Sequence, residues 1–248
     1  MKSHWAAVKT ITKRELSAYF ESPVAYVFLV IFLLLAGFFT FTFGGFFERG
    51  EASLAAFFNW MPWLFLFLVP AVGMRLWSEE RRLGTIELLL TMPVATWQAI
   101  LGKFLASWLF LAIALALTFP IIVTVNWLGD PDNGVIASGY VGTILLAGAY
   151  LAVACMTSAL TRNQVIAFIL AVVICLLLIL VGFSPITDLL ARWAAPWLVE
   201  SVAKFSVLTH YDGFERGVLD SRDVVYFSSV IALALFATGV TIRSHRAG

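Results

Sequence analysis

Long apolar runs dominate the chain, and short polar segments separate them. A spanning α-helix needs about 20 mostly apolar residues, and none of these runs carries a charge near its centre. The pattern predicts six membrane-spanning helices, over residues 24–47, 57–74, 104–128, 139–160, 165–183 and 224–242. We therefore predict an all-α polytopic membrane protein whose residues 1–248 form a single transmembrane domain.

The segment before the first run has the pattern of an amphipathic helix. Its apolar residues recur at spacings near three and four: Trp5, Val8, Ile11, Leu16, Tyr19 and Phe20. Lys9, Lys13 and Arg14 lie between them. Residues 1–22 are thus expected to form a helix on the membrane surface. The alternative is a charged leader that only sets the orientation of the first span.

The most polar stretch between the predicted spans is 75–94. Arg75 and Glu79 are four residues apart and can pair along one helix face. Gly84 and Thr85 are expected to end that helix, and Thr85 can cap a second, short one. The segment therefore predicts a helix, a turn and a short helix at the membrane surface. The alternative is a solvated loop whose charges only set the orientation of the chain in the membrane.

The distribution of charge predicts which side of the membrane each loop faces. Six spans place both termini on one side, and most of the 16 Lys and Arg residues flank the spans there, whereas most of the 15 Asp and Glu residues lie on the other side. Because basic residues accumulate in cytoplasmic loops, both termini are expected in the cytoplasm. The long segment 184–223 then lies on the opposite, periplasmic side, with apolar helices that dip into the outer leaflet.

Composition and motifs exclude several classes of function. The chain is 61% hydrophobic and 12% charged, and its net charge of +1 offers no excess of positive charge for nucleic acid. Cys155 and Cys175 lie inside apolar runs, which indicates buried thiols rather than a disulfide or a metal site. We expect no metal, no bound cofactor and no catalytic residue in this chain.

No energy source is encoded in the sequence. Gly102-Lys103 lacks both the first glycine and the hydroxyl of a phosphate-binding loop, and neither the zinc motif H-E-x-x-H nor the serine motif G-x-S-x-G occurs. Ionisable groups at membrane depth, which ion-coupled transport needs, are also missing from the predicted spans. These features favour a helical bundle with a polar surface element on which a separate motor could dock.

Two segments resemble a known family. The run from Glu80 to Val94, ERRLGTIELLLTMPV, resembles the signature of type-two ATP-binding-cassette (ABC-2) permeases, in which an acidic residue, a Gly-Thr pair, Glu-Leu-Leu and a proline follow the second span. The run from Tyr211 to Phe227, YDGFERGVLDSRDVVYF, is similar to the stretch before the last span in the gliding-motility and nitrous-oxide-accessory permeases.

The resemblance implies partners that the chain does not contain. These are a dimeric cytoplasmic ABC ATPase that binds ATP and Mg, a second permease subunit that is either another copy or a related chain, and in some systems an auxiliary subunit. The expected location is the bacterial inner membrane, and the expected function is export or mechanical work. A different class of function is a non-transporting membrane scaffold of a multiprotein machine.

The resemblance also assigns roles to segments. Residues 1–22 correspond to the elbow helix, residues 75–94 contain the coupling helix, and the turn 161–164 is a second contact with the ATPase. The residues expected to transmit the movement of the ATPase are Glu79, Glu80, Arg81, Arg82, Gly84, Thr85, Glu87 and Arg162.

Overall fold

A computed structural model describes residues 2–50, 52–85, 94–192, 197 and 202–244. Within these residues the chain is built from helices, and no strand is present. The helices are α1 (Lys2–Glu21), α2 (Pro23–Phe38), α3 (Phe46–Arg49), α4 (Ala55–Gly73), α5 (Arg75–Leu83), α6 (Thr96–Ala116), α7 (Phe119–Leu128), α8 (Asn133–Leu160), α9 (Gln164–Leu180), α10 (Ser184–Leu190), α11 (Val207–Glu215) and α12 (Ser221–Ser244).

The predicted class, an all-helical polytopic membrane protein, is confirmed. Helix α2 continues into a π-helical segment, Phe39–Phe43. With it, five helical stretches are long and apolar enough to cross a membrane: Pro23–Phe43, Ala55–Leu83, Thr96–Leu128, Asn133–Leu160 and Ser221–Ser244. A sixth apolar helix, α9, has 17 residues, which corresponds to about 25 Å and is slightly less than the hydrocarbon thickness. The described part of the chain therefore holds five full-length candidate spans and one shorter one.

Helix α8 forms the centre of the bundle. It contacts α4, α5, α6, α9, α11 and α12, and most of its side chains from Leu146 to Ala159 are buried. Small residues allow close approach of its neighbours, as is common between helices in membranes. One close approach is at the end of α4, where a Cβ atom added to Gly73 would lie 2.4 Å from the Cβ of Ala154.

The third predicted span, 104–128, is interrupted in the structure. Helix α6 ends at Ala116, and α7 begins at Phe119, one residue before Pro120. Proline has no backbone N–H and disrupts the helical hydrogen bonds that precede it. The hydroxyl of Thr118 lies at this break, 2.6 Å from the carbonyl oxygen of Leu115 and 2.6 Å from the hydroxyl of Tyr140.

The helices place their ends on two sides of the bundle. We call the side that holds α1 and the end of α12 the terminal side; α5, the start of α6 and the turn between α8 and α9 also lie there. The other side, which we call the distal side, holds α3, α10 and α11. Helix α11, from the predicted segment 184–223, packs into the bundle, where the hydroxyl of Tyr211 lies 2.8 Å from that of Thr143 on α8.

Candidate coupling site on the terminal side

Helix α5 extends α4 beyond a single turn residue, Met74, and is fixed at its base to α8. The side-chain oxygen of Ser158 on α8 accepts hydrogen bonds from the backbone nitrogens of Trp77 and Ser78, both at 3.0 Å. The same hydroxyl donates to the carbonyl oxygen of Met74 at 2.7 Å. Trp77 is fully buried, and its ring nitrogen donates to the sulfur of Cys155 at 3.2 Å. The first turn of α5 is therefore attached to the centre of the bundle.

Three charged residues join α5 to α6 and α1, and we call them the lysine cluster: Glu15, Glu80 and Lys103. The ammonium nitrogen of Lys103 lies 2.8 Å from Glu80 Oε1 and 3.5 Å from Glu15 Oε2. The Lys103 side chain is only 7% exposed, so its charge depends on these carboxylates for compensation. It also lies 5.6 Å from the centre of the Trp77 ring, within the range of a cation–π interaction.

Helix α1 packs along α6. Gly102 makes this possible because a Cβ atom there would lie 2.6 Å from the side chain of Ile11. The hydroxyl oxygen of Thr12 lies 3.2 Å from the carbonyl oxygen of Gly102 and 2.9 Å from that of Val8 in its own helix. Nearer its end, α1 stacks Tyr19 on Phe110 with 4.9 Å between ring centres. The segment predicted to lie on the membrane surface is thus an α-helix that is docked on the bundle.

The hydroxyl of Tyr19 belongs to the same contact. Its oxygen lies 2.9 Å from the hydroxyl oxygen of Ser107 on α6. Burial raises the pKa of Tyr19 to about 12, and the hydrogen bond with Ser107 opposes that shift only in part. The phenol therefore keeps its proton at neutral pH and is available as a donor within this contact.

Three arginines form a second feature, the arginine patch: Arg81, Arg82 and Arg162. The guanidinium of Arg81 donates to the carbonyl oxygen of Ala159 at the end of α8. Arg82 and Arg162 are both exposed and line a common cavity of about 270 Å³ together with Asn163. The patch presents positive charge to the solvent next to the α8–α9 turn.

Helix α5 ends as the sequence indicates. Gly84 adopts a left-handed conformation with φ of 72°, which glycine reaches without steric penalty. Its backbone N–H donates to the carbonyl oxygen of Glu80, and the hydroxyl of Thr85 lies 3.4 Å from the same oxygen. Glu87 and the rest of the predicted second helix, 86–93, lie outside the described residues.

The structure brings most of the predicted site residues together. Glu79, Glu80, Arg81, Arg82, Gly84 and Thr85 lie on α5 or at its end, and Arg162 lies beside them in the α8–α9 turn. The pairing expected between Arg75 and Glu79 is not formed among the described residues; Glu80 pairs with Lys103 instead. An ion pair at this spacing on a helix contributes only about 0.3–0.5 kcal/mol, which is too little to fix both side chains.

Sequence reasoning missed the residues that hold α5 in place. Lys103, Glu15, Trp77 and Ser158 were not predicted as site residues. One signal was available for Lys103: it lies in a continuous apolar stretch of α6, where a charged residue needs a partner. Ser158 carried no such signal, because a single serine in an apolar helix is common.

The comparisons with known proteins agree with this architecture. A family model described as ABC-2 family transporter protein matches residues 47–240, which is most of the chain and includes α4, α5 and α8. A search of curated proteins finds no match. The family match supports the ABC-2 resemblance but not the narrower likeness to gliding-motility or nitrous-oxide-accessory permeases. The chain therefore belongs to the ABC-2 transporter family, as a membrane-spanning permease subunit of an ABC transporter.

Proposed function

We propose that this permease couples ATP hydrolysis by a separate cytoplasmic ATPase dimer to export or to mechanical work, with α5 and the α8–α9 turn as the contact surface. In this proposal the terminal side faces the cytoplasm of a bacterial cell and the protein lies in the inner membrane. A second permease subunit completes the transporter. ATP and Mg are bound by the ATPase.

The observation that carries the proposal is the double attachment of α5. Its first turn is bonded to α8 through Ser158, and its second half is bonded to α6 and α1 through the lysine cluster. A displacement of α5 would therefore be transmitted to three other helices through short polar contacts rather than through a flexible loop. Coupling between distant sites needs such contiguous contacts.

The arginine patch supplies the docking chemistry. Arg82 and Arg162 are exposed, and neither has an ion pair or a hydrogen bond among the described residues. Exposed guanidinium groups recognise carboxylates with two parallel hydrogen bonds. We therefore expect the matching surface of the ATPase to be acidic.

The test is purification of the tagged chain from its native membrane in mild detergent, followed by identification of co-purifying proteins and an ATPase assay. We expect a stoichiometric ATPase with the wild-type chain. The double variant Arg82→Glu and Arg162→Glu should lose it, because two attractive contacts become repulsive. Lys13→Glu, which makes the same type of charge change at an exposed position of α1, is the matched control and should retain it.

Two further results bear on the proposal. Glu80→Lys should leave membrane insertion intact and abolish the stimulation of ATPase activity, because it places a second cation beside Lys103. If the wild-type chain purifies without any nucleotide-binding subunit, the coupling proposal is wrong and a scaffold role takes its place.

A further inference from the structure

A groove opens between α1, α2, α4, α5 and α6 on the terminal side, and its volume is about 430 Å³. It lies where the apolar helix α4 continues into the polar helix α5. One wall is apolar and includes Ala25, Phe28, Val72 and Phe110. The rim carries charged side chains, among them Arg75 and Glu79. The groove thus has the two environments found at the boundary between a membrane's hydrocarbon and its headgroups.

The charges of the rim fall into two classes. Those of the lysine cluster are compensated together with Arg14, since Lys103 contacts both Glu15 and Glu80 and Arg14 contacts Glu15 at 2.7 Å. Arg75 and Glu79 have no ion pair or hydrogen bond among the described residues, although they lie one helical turn apart on α5. The side chains of both are partly buried. The groove therefore presents one uncompensated cation and one uncompensated anion about 6 Å apart at their Cβ atoms.

We infer that this groove binds the headgroup of an aminophospholipid, phosphatidylethanolamine, from the leaflet on the terminal side. The phosphate would contact the guanidinium of Arg75, which suits phosphate geometry. The ammonium group would contact the carboxylate of Glu79. The acyl chain would lie along the apolar wall near Phe28 and Val72.

Charge complementarity selects this occupant over other membrane lipids. Phosphatidylglycerol offers a phosphate for Arg75 but no cation for Glu79, so one charge of the rim would stay uncompensated. Because α1 and α5 both line the groove, the bound lipid would contact both the elbow helix and the candidate coupling helix. The inference needs no ATPase, so it stands or fails independently of the proposed function.

The test is native mass spectrometry of the full-length chain, purified in mild detergent and titrated separately with phosphatidylethanolamine and phosphatidylglycerol. We expect the wild type to bind phosphatidylethanolamine at least about tenfold more tightly, which corresponds to one charge-assisted hydrogen bond. Glu79→Gln should weaken binding of phosphatidylethanolamine about tenfold and leave phosphatidylglycerol unchanged. Arg75→Gln should weaken both lipids by a similar factor.

Two matched variants control for general changes in surface charge. Glu21→Gln and Lys13→Gln each remove one exposed charge from α1, outside the groove, and should leave both affinities unchanged. Melting temperatures of all four variants should equal that of the wild type, since none of these side chains forms an ion pair in the described structure. Equal affinity for the two lipids, or equal binding by wild type and Glu79→Gln, would overturn the inference.

Discussion

The side-chain oxygen of Ser158 lies 3.0 Å from the backbone nitrogen of Trp77, so one hydroxyl on α8 accepts a hydrogen bond from the start of α5. The same oxygen accepts from Ser78 and donates to Met74. One donor and two acceptor positions are all that a serine hydroxyl offers. Its hydrogen-bonding capacity is therefore fully used in joining the two helices.

Removal of this hydroxyl should loosen the base of α5. Ser158→Ala leaves the backbone nitrogens of Trp77 and Ser78 without this acceptor, whereas the carbonyl oxygen of Met74 keeps the Ser78 hydroxyl as a donor. We expect a loss of about 1–3 kcal/mol in stability, measured as a lower melting temperature of the purified protein. Thr157→Val is the control, because among the described residues the Thr157 hydroxyl bonds only within its own helix, to Ala154. Equal losses in the two variants would contradict a special role for Ser158.

The lysine cluster gives a second prediction. Lys103→Met leaves the largely buried Glu80 without its cation, whereas Glu15 keeps its contact with Arg14, and removal of one partner of a buried ion pair typically costs about 3–5 kcal/mol. The double variant Lys103→Met and Glu80→Leu should recover part of this loss, because it also removes the carboxylate that has lost its cation. The measurement is the melting temperature of both variants. A double variant less stable than Lys103→Met would contradict the interaction between Glu80 and Lys103.

The packing of α1 on α6 gives a third prediction. Gly102→Ala places a methyl group 2.6 Å from Ile11, so α1 must move away, and we expect faster cleavage of α1 by protease together with a lower melting temperature. Gly37→Ala is the matched control, since a Cβ atom there meets nothing within 4 Å. Alanine favours a helix over glycine by about 1 kcal/mol, so the control should be neutral or slightly stabilising.

Glu215, at the end of α11 on the distal side, predicts a dependence of stability on pH. Burial raises the pKa of its carboxyl to about 7 from an ordinary value of 4.5; repulsion from Asp212 adds to the shift and Arg216 opposes it. Because the folded protein holds this proton more tightly than the unfolded chain, the stabilisation is fully present below pH 4.5 and is lost as the pH rises through 7.

Glu215→Gln should remove that dependence. Relative to wild type, the variant should gain stability above pH 7, by about 1 kcal/mol after allowance for the partial exposure of the carboxyl. Melting temperatures between pH 5 and 8 measure the effect, and Asp188→Asn, an exposed carboxylate of the same side, is the control. Parallel pH profiles for Glu215→Gln and wild type would show that burial does not perturb Glu215.

The helices of this protein could be predicted from the sequence because few backbone structures other than an α-helix are stable in a membrane. Backbone polar groups in hydrocarbon must pair within the chain, so a long apolar run predicts a helix with little ambiguity. The end of α5 at Gly84 was equally predictable, since glycine adopts the left-handed conformation that closes a helix. The sequence also indicated the break between α6 and α7, because Pro120 lies within the apolar run and has no backbone N–H to donate.

The contacts that hold α5 could not be predicted in the same way. Lys103 is far from Glu15 and Glu80 in sequence, and although its apolar surroundings indicate that it needs a partner, they do not tell which residue that partner is. The spacing of Arg75 and Glu79 suggested a pair that the described structure does not form, because an ion pair at this spacing is weak and competes with solvation of the two side chains. Pairs between distant segments depend on how the helices pack, and a single sequence does not contain that information directly.

The close contact between Gly73 and Ala154 has a mechanical consequence. It holds the end of α4 against α8 immediately before Met74. A movement of α5 would therefore be a rotation about this fixed point. A helix of nine residues is about 13.5 Å long. A rotation of about 13° at the pivot would therefore move Gly84 by about 3 Å, which is the scale of a helix shift between two states of a switching protein.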